Sequence, residues 1–205
     1  MDSLEIDGAW KFTPKQECDD RGSWMESFRG SELAAGLGYE PNISYVSCSV
    51  SRRGVIRGIH YADVPPGQAK YVTCVAGAVL DVVVDLRIGS PTLGHWKTVR
   101  LDEQSREAVF LSEGLGHGFM ALSDQATVLC LCSTPYDPKH EHGIDPLDPD
   151  LGIDWPLNES GPRLSLKDIV APTLAEAAGK GLLPSYASCL NYQEKLRSPL
   201  PLSPA

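Results

Sequence analysis

The chain has 205 residues, 42% of them hydrophobic, and a formal net charge of -9 at pH 7. Its length fits one domain better than two, and its hydrophobic content excludes wholesale disorder. The acidic balance argues against non-specific binding to nucleic acid or to a membrane surface, and no apolar run reaches the ~20 residues that a membrane-spanning helix needs.

The first two-thirds of the chain carry the signals of short strands. A strand is predicted over residues 4–12, a turn at 19–22 and a short helix near 30–36. From residue 43 to residue 134 polar and apolar side chains alternate with a period of two, which is typical of half-buried strands. The clearest predicted strands cover 70–75, 79–86, 96–101, 108–111 and 127–132. Glycine and proline breaks separate them with little helix between, which predicts a β-sandwich or a closed barrel.

The last third of the chain is more polar and rich in proline. Thr173 and Glu176 have the spacing of a capping box, which predicts a short helix that begins there. We assign residues 1–185 to a single domain and residues 186–205 to a C-terminal extension whose tail is expected to be disordered.

The cysteines and the first residues indicate a reducing compartment. The six cysteines form no CxxC motif and lack the spacing of a zinc site. Residues 1–5 are acidic and lack the basic and apolar regions of a signal peptide. We therefore expect a cytoplasmic protein with reduced cysteines, in which Cys130 and Cys132 lie on the same face of one strand.

Two histidines stand beside glycine-rich bends, His60 within RGIHY and His117 within EGLGHGF. Two-histidine patterns in small β-barrels suggest a metal-binding cupin. However, position 62, where the second ligand of an HxH pair would stand, is alanine, and Lys70 falls about where a carboxylate ligand would be. A cation there would repel a metal ion, and two neutral imidazoles bind one weakly. We expect no metal and no other cofactor.

Without a metal, these residue types suit the removal of a proton next to a carbonyl group. An imidazole can act as the base near neutral pH, and a carboxylate on its other ring nitrogen would fix the tautomer. An ammonium can stabilise the enolate oxygen that develops. His60 and Lys70 fit the roles of base and enolate stabiliser.

Seven motifs follow one another in a fixed order from about residue 8 to residue 180. They are DRG at 20–22, RGIHY at 57–61 followed by Lys70, DVVVDLR at 81–87, GSPTLGHW at 89–96, GLGHGF at 114–119, LGIDWP at 151–156 and LSLKD at 164–168. In these motifs the chain resembles the family of dTDP-4-keto-6-deoxyhexose 3,5-epimerases, which includes the dTDP-4-dehydrorhamnose epimerases and their antibiotic-sugar relatives. The resemblance covers nearly the whole domain.

The resemblance implies an all-β fold, the double-stranded β-helix or cupin-like jelly roll, with a few short peripheral helices. It also implies a homodimer in which N-terminal segments reach across to the partner. The implied reaction is epimerisation of a dTDP-4-keto-6-deoxyhexose through an enolate, in deoxysugar biosynthesis. In that reaction His60 is the base, Asp168 its partner and Lys70 the cation that faces the enolate.

The resemblance also implies a set of substrate-binding residues. Arg57 and His117 match positions near the sugar and the diphosphate. Arg21 and Glu26 match positions that bind the nucleotide, with Arg21 acting on the ligand of the neighbouring subunit. Tyr136 matches an aromatic residue that stacks on thymine.

The chain departs from the family at Cys130, where the double epimerases carry the tyrosine that protonates the opposite face of the sugar. A thiol is acidic enough to donate, with an ordinary pKa of about 8.5 against about 10 for a phenol, but it is shorter. Our hypothesis is epimerisation at C3, with C5 left open. Tyr45 and Ser47 also replace the usual Gln and Asn, which weakens any inference about base recognition.

Several alternatives stay open. The chain could be a catalytically silent sugar-nucleotide binder, a 3,4-ketoisomerase, whose chemistry usually shows paired histidines, or, as a distant alternative, a metal-dependent cupin. His140 and His142 have the spacing of a metal pair, but we expect them in a charged, solvent-exposed loop.

Overall fold

The computed structural model of the chain describes residues 1–198, so residues 199–205 of the predicted disordered tail lie outside the described residues. The strands are β1 (Asp2–Ser3), β2 (Ala9–Phe12), β3 (Glu17–Asp19), β4 (Gly22–Trp24), β5 (Tyr45–Arg52), β6 (Ile56–Ala62), β7 (Lys70–Ala76), β8 (Ala78–Asp85), β9 (Trp96–Asp102), β10 (Ala108–Leu111), β11 (Leu115–Ala121), β12 (Gln125–Cys132) and β13 (Glu141–Gly143). The helices are α1 (Gly30–Leu37), α2 (Leu166–Ile169), α3 (Leu174–Gly179) and α4 (Tyr186–Arg197).

Two antiparallel sheets carry the architecture. The six-stranded sheet has the order β1-β2-β10-β7-β12-β5, and the five-stranded sheet has the order β13-β6-β11-β8-β9. Strands that follow one another along the chain lie in different sheets at several points, as a jelly roll requires. Strands β3 and β4 form a separate hairpin.

The core lies between the two sheets. Alternate residues of each strand point inward, so Val72 and Val128 of the six-stranded sheet meet Val83 and Leu101 of the five-stranded sheet. The outer face of the five-stranded sheet is also covered, because Leu151 and other residues after β13 pack on it. Each fully buried Val or Leu side chain stabilises the fold by about 1.5–3 kcal/mol.

The helices are short and peripheral. Helix α1 places Leu33 and Leu37 on the outer face of the six-stranded sheet. Helix α3 begins at the predicted capping box, in which Thr173 and Glu176 exchange side-chain to backbone hydrogen bonds. Helix α4 buries Cys189, so residues 186–197 pack on the sheets; the domain boundary at residue 185 stays a prediction. None of the described helices is long and apolar enough to cross a bilayer.

The single strand predicted over residues 4–12 is wrong. Only residues 9–12 of this segment form a strand, β2, which pairs with β1 across a tight turn formed by residues 4–8. Glu5 and Gly8 have φ angles of 61° and 82°, a left-handed backbone that interrupts an extended strand. The turn at residues 19–22, helix α1 and the strands predicted between residues 70 and 132 are confirmed, with ends that shift by one or two residues.

A buried ion pair lies at the end of β8. The carboxylate of Asp85 accepts hydrogen bonds from Nε and Nη2 of Arg87 at 2.9 and 2.8 Å, and both side chains are fully buried. Arg87 also donates to the backbone oxygen of Asp7 at 2.9 Å, and its guanidinium lies 4.9 Å from the ring centroid of Tyr186. The pair thus ties β8 to the turn after β1 and to helix α4.

We predict that Asp85→Ala lowers the free energy of unfolding by about 3–5 kcal/mol, because it leaves a buried guanidinium without its counter-charge. Urea denaturation monitored by circular dichroism measures the change. The matched control is Arg100→Ala, which breaks the exposed Arg100–Asp102 pair and should cost no more than about 1 kcal/mol. Equal effects of the two substitutions would contradict the prediction.

Candidate active site

A cavity of about 420 Å³ opens between the two sheets. The five-stranded sheet contributes Arg57 and His60 from β6 and His117 from β11. The six-stranded sheet contributes Lys70 from β7 and Cys130 from β12. Five residues predicted for the site from sequence therefore line one cavity, and Asp168 lines it as well.

His60 and Asp168 form a hydrogen-bonded pair in the cavity wall. The Nε2 atom of His60 lies 2.7 Å from Oδ1 of Asp168, and His60 remains partly exposed to the cavity while Asp168 is only 3% exposed. The predicted contact between these two residues, which are 108 positions apart in the chain, is thus present in the structure. Their catalytic roles stay predictions.

Helix α2 holds Asp168 in place. Ser165 is the N-cap residue of this helix, and its hydroxyl accepts a hydrogen bond from the backbone N–H of Asp168 at 3.2 Å and donates one to Oδ2 at 2.8 Å. Burial raises the pKa of Asp168, but the hydrogen bonds from His60 and Ser165 outweigh it and hold the pKa below the ordinary value of an aspartate. Asp168 is therefore fixed as an anion beside His60.

A second histidine–aspartate pair lies on the neighbouring strands. Nε2 of His117 lies 2.7 Å from Oδ2 of Asp81, and both residues are buried. His117 of β11 is directly opposite His60 of β6 in the sheet register. Gly58 permits this close approach of the two strands, because a Cβ atom at Gly58 would lie 2.6 Å from the backbone oxygen of His117.

The opposite wall carries one cation and two thiols. Lys70, Cys132 and Tyr45 are register partners across β7, β12 and β5, so their side chains form a row on the inner face of the six-stranded sheet. Cys130 lies next to this row, with its Sγ 3.5 Å from that of Cys132. Lys70 is only 7% exposed, and no carboxylate forms an ion pair with it within residues 1–198.

Three further polar groups of the site carried no role in the sequence analysis. Asp81 stands among valines in β8, at a position that alternation turns toward the core, and that pattern could have revealed it. Glu141 of β13 and Gln68, in the loop before β7, are hydrogen-bonded at 3.3 Å and line the cavity, but only the order of the strands in the sheets brings them there. No local sequence signal points to them.

Three residues predicted to bind substrate lie away from the cavity of their own chain. Arg21 is exposed in the β3–β4 hairpin and pairs with Asp19, and Glu26 pairs with Arg29. Tyr136 is 57% exposed and does not belong to the cavity wall. Their nucleotide-binding roles stay predictions.

The prediction that His140 and His142 lie in an exposed, charged loop is wrong in part. Residues 141–143 form β13, which pairs with β6, and both imidazoles contact Asp63, at 3.1 and 2.8 Å. His140 is exposed, whereas His142 is partly buried. In the part of the chain that the structure describes, no three His, Cys, Asp or Glu side chains are grouped so that they could hold a metal ion.

Comparison with known proteins gives close matches over most of the chain. A family model described as dTDP-4-dehydrorhamnose 3,5-epimerase matches residues 3–176. A dTDP-4-dehydrorhamnose 3,5-epimerase from Streptomyces griseus is 51% identical over 196 residues, which cover 96% of this chain and 97% of that protein.

Two solved structures are similar at the level of the whole fold. NovW, a 4-keto-6-deoxy sugar epimerase from the novobiocin biosynthetic gene cluster of Streptomyces spheroides, matches with a TM-score of 0.89 and 55% identity over 92% of this chain and 94% of its own. ChmJ, a 3'-monoepimerase from Streptomyces bikiniensis in complex with dTDP-quinovose, matches with a TM-score of 0.93 and 49% identity over 96% and 99%. These similarities confirm the predicted fold.

The lowered pKa of Asp168 predicts a pH-dependent contribution to stability. Because the carboxylate is favoured in the folded state, its contribution is present above the ordinary Asp pKa of about 3.9 and is lost as the pH falls through the lower folded value. Urea denaturation of the wild type and of Asp168→Asn from pH 7 to pH 3 measures it. The wild type should be the more stable at pH 7, and the difference should shrink on acidification; a difference that stays constant would contradict the prediction.

Proposed function

This chain belongs to the dTDP-4-dehydrorhamnose 3,5-epimerase family, and on that premise we propose that it is an isomerase that epimerises a dTDP-4-keto-6-deoxyhexose at C3. The observation that carries the proposal is the His60–Asp168 pair, at 2.7 Å, in a cavity that also contains the buried cation Lys70. The reaction needs a base, a site for negative charge and a proton source, and no cofactor.

His60 is the proposed base. Because its Nε2 is engaged by Asp168, Nδ1 is the ring nitrogen that takes the proton from C3 of the sugar. The Asp168 carboxylate stabilises the imidazolium that forms and fixes the ring, as the carboxylate of a catalytic triad does. General base catalysis of this kind contributes about 10²–10⁴-fold to the rate.

Lys70 is the proposed stabiliser of the enolate. Removal of the C3 proton moves negative charge onto the C4 oxygen, and an ammonium fixed in a partly dehydrated cavity stabilises that charge far better than one in water. The absence of an ion-pair partner for Lys70 among residues 1–198 supports this role, since the charge is available to the ligand.

Inversion requires that the proton return on the face opposite the base. His60 is on the five-stranded sheet, while Cys130 is on the inner face of the six-stranded sheet, so a sugar between the sheets would have one on each side. A hydrogen bond with Cys132 and burial together raise the pKa of Cys130 well above the ordinary value of a thiol. Cys130 is therefore a short and weak acid, which supports reaction at C3 alone, with water completing the proton transfer.

The nucleotide and the partner subunit belong to the same proposal. The hairpin of β3 and β4, which carries Arg21, lies away from the cavity of its own chain. Its Trp24 is 66% exposed. Strand β5 is an edge of the six-stranded sheet with Val46 and Val50 exposed, and such edges are typical protein interfaces. We place these surfaces in a homodimer, in which Arg21 reaches the dTDP of the partner subunit, Glu26 also binds the nucleotide and Tyr136 stacks on thymine.

We further place the reaction in antibiotic deoxysugar biosynthesis, because NovW comes from an antibiotic gene cluster. A cytoplasmic location agrees with the state of the cysteines, all six of which are free.

The second candidate function is a 3,4-ketoisomerase. The observation that favours it is the His117–Asp81 pair, which gives the cavity a second imidazole in register with His60. A ketoisomerase would shift the carbonyl group to C3 of the product. A catalytically silent binder of the same sugar nucleotide is the third possibility.

The decisive experiment is NMR of dTDP-4-keto-6-deoxyglucose with the purified protein in D₂O. We expect deuterium at C3 and not at C5. Deuterium at both carbons would show a double epimerase, and a new C3 carbonyl signal would show a ketoisomerase. Binding without any exchange would contradict the proposed activity.

His60→Asn should slow exchange at C3 by about 10²–10⁴-fold, because it removes the base. The matched control is His95→Asn, since His95 is exposed in the turn before β9, outside the cavity; that variant should exchange at the wild-type rate. A His60→Asn protein that keeps wild-type exchange would exclude His60 as the base.

Cys130→Tyr should introduce deuterium exchange at C5, because a phenol at this position reaches further into the cavity and can donate on the face opposite His60. The measurement is the ratio of C5 to C3 exchange in the same NMR assay. Thr127→Tyr on the same strand is the control, because its side chain points away from the core. Folded Cys130→Tyr protein with an unchanged ratio would show that residue 130 does not decide between the two carbons.

A further inference from the structure

We propose that Cys130 and Cys132 form a reactive dithiol in the cavity wall, a modification site that a peroxide or a trivalent arsenical engages across both sulfur atoms. The proposed epimerase reaction makes no use of Cys132. The proposal starts from the position of the pair, in the same cavity as His60 and Lys70.

The geometry brings the two sulfur atoms together. The cysteines are two residues apart in β12, so both side chains point to the inner face of the sheet, and the Sγ atoms lie 3.5 Å apart. Two residues of a strand are about 6.6–6.8 Å apart at Cα, which is the upper end of the range that a disulfide spans. A disulfide also needs Cβ atoms about 3.5–4.5 Å apart, so closing it requires that β12 shorten locally between the two cysteines in addition to rotation of their side chains.

The surroundings distinguish the two sulfurs chemically. The hydrogen bond with Cys130 lowers the pKa of Cys132, and Tyr45 and Lys70 act in the same direction. The same hydrogen bond and burial raise the pKa of Cys130. Of the two sulfurs, Cys132 is therefore the one favoured as a thiolate, which suits it as the nucleophile and Cys130 as the resolving group.

The other cysteines lack this arrangement. Cys74 and Cys189 are buried, and burial raises the pKa of both thiols, that of Cys189 to about 11. Cys18 and Cys48 are exposed. Cys132 is itself buried, and reagents reach the dithiol through the cavity, which both cysteines line and to which Cys130 is partly exposed.

The oxidation proceeds in two balanced steps. The Cys132 thiolate attacks hydrogen peroxide, the O–O bond breaks, and Cys132 becomes a sulfenic acid as hydroxide leaves. The Cys130 thiol then attacks that sulfur, an S–S bond forms and water leaves, so that two thiols and one peroxide give one disulfide and two waters. An arsenical such as phenylarsine oxide instead forms two As–S bonds and releases water.

The test uses the full chain with Cys18→Ser and Cys48→Ser, so that the exposed thiols do not react. After brief treatment with hydrogen peroxide under native conditions, trypsin releases the peptide 107–139, which contains Cys130 and Cys132 and no other cysteine. We expect this peptide to be lighter by two hydrogen atoms, and dithiothreitol to restore its mass. Phenylarsine oxide should bind once per chain.

Adding Cys132→Ser to the same background removes the nucleophile and leaves Cys130. That variant should form no intramolecular disulfide, bind no arsenical, and react with iodoacetamide at pH 7 at least about tenfold more slowly than the pair does. The double substitution Cys74→Ser with Cys189→Ser is the matched control and should leave the dithiol reaction unchanged.

Two results would overturn the proposal. One is a peptide 107–139 that gains oxygen atoms on separate cysteines and never loses two hydrogens. The other is alkylation of Cys130 and Cys132 by iodoacetamide that is no faster than the alkylation of Cys74 and Cys189 in the same folded protein. Both readouts are masses, so they hold whether or not the chain proves to be an epimerase.

Discussion

The two facing sheets impose the constraint on which the site depends. Stacked sheets lie about 10 Å apart, so each inward side chain must either pack against the opposite sheet or line a gap. Valines and leucines fill the space at one end. At the other end His60, Lys70 and His117 point inward, and because charged and polar groups cannot pack as an apolar core, a cavity remains. The same alternation therefore builds the core and the site.

This arrangement gives the cavity two chemically different walls. Hydrogen bonds to aspartates hold both imidazoles on the five-stranded sheet. The six-stranded sheet carries the ammonium and the thiols on adjacent strands, in fixed register. In the proposed reaction, a planar enolate between the walls would have His60 on one side and Cys130 on the other.

Much of the fold could be predicted from the sequence because alternation is a local signal. The strands from residue 70 to residue 132 and the capped helix at Thr173 follow from neighbouring residues alone. The motifs shared with the epimerase family predicted His60, Lys70 and Asp168 as site residues. The turn inside residues 4–12 has a left-handed backbone at Gly8, which the Asp-Gly dipeptide at 7–8 signals locally, and another at Glu5, where the residue type gives no such signal. The role of Asp81 and the contact of His142 with Asp63 depend on which strands become neighbours, and sheet order is a long-range property.

The contacts of Arg87 have a consequence for how the chain folds. This residue joins Asp85 of β8 to the backbone at Asp7 and to Tyr186 of α4, so its surroundings are complete only when segments nearly 180 residues apart have met. Strand β2 likewise pairs with β10, which lies about 100 positions later in the chain. Contacts of such high sequence separation slow folding, because a large loop entropy is lost before the contact stabilises anything. The surroundings of Arg87 can therefore close only after synthesis has passed Tyr186, and a fragment that stops before Tyr186 exposes one side of a guanidinium that the whole domain buries.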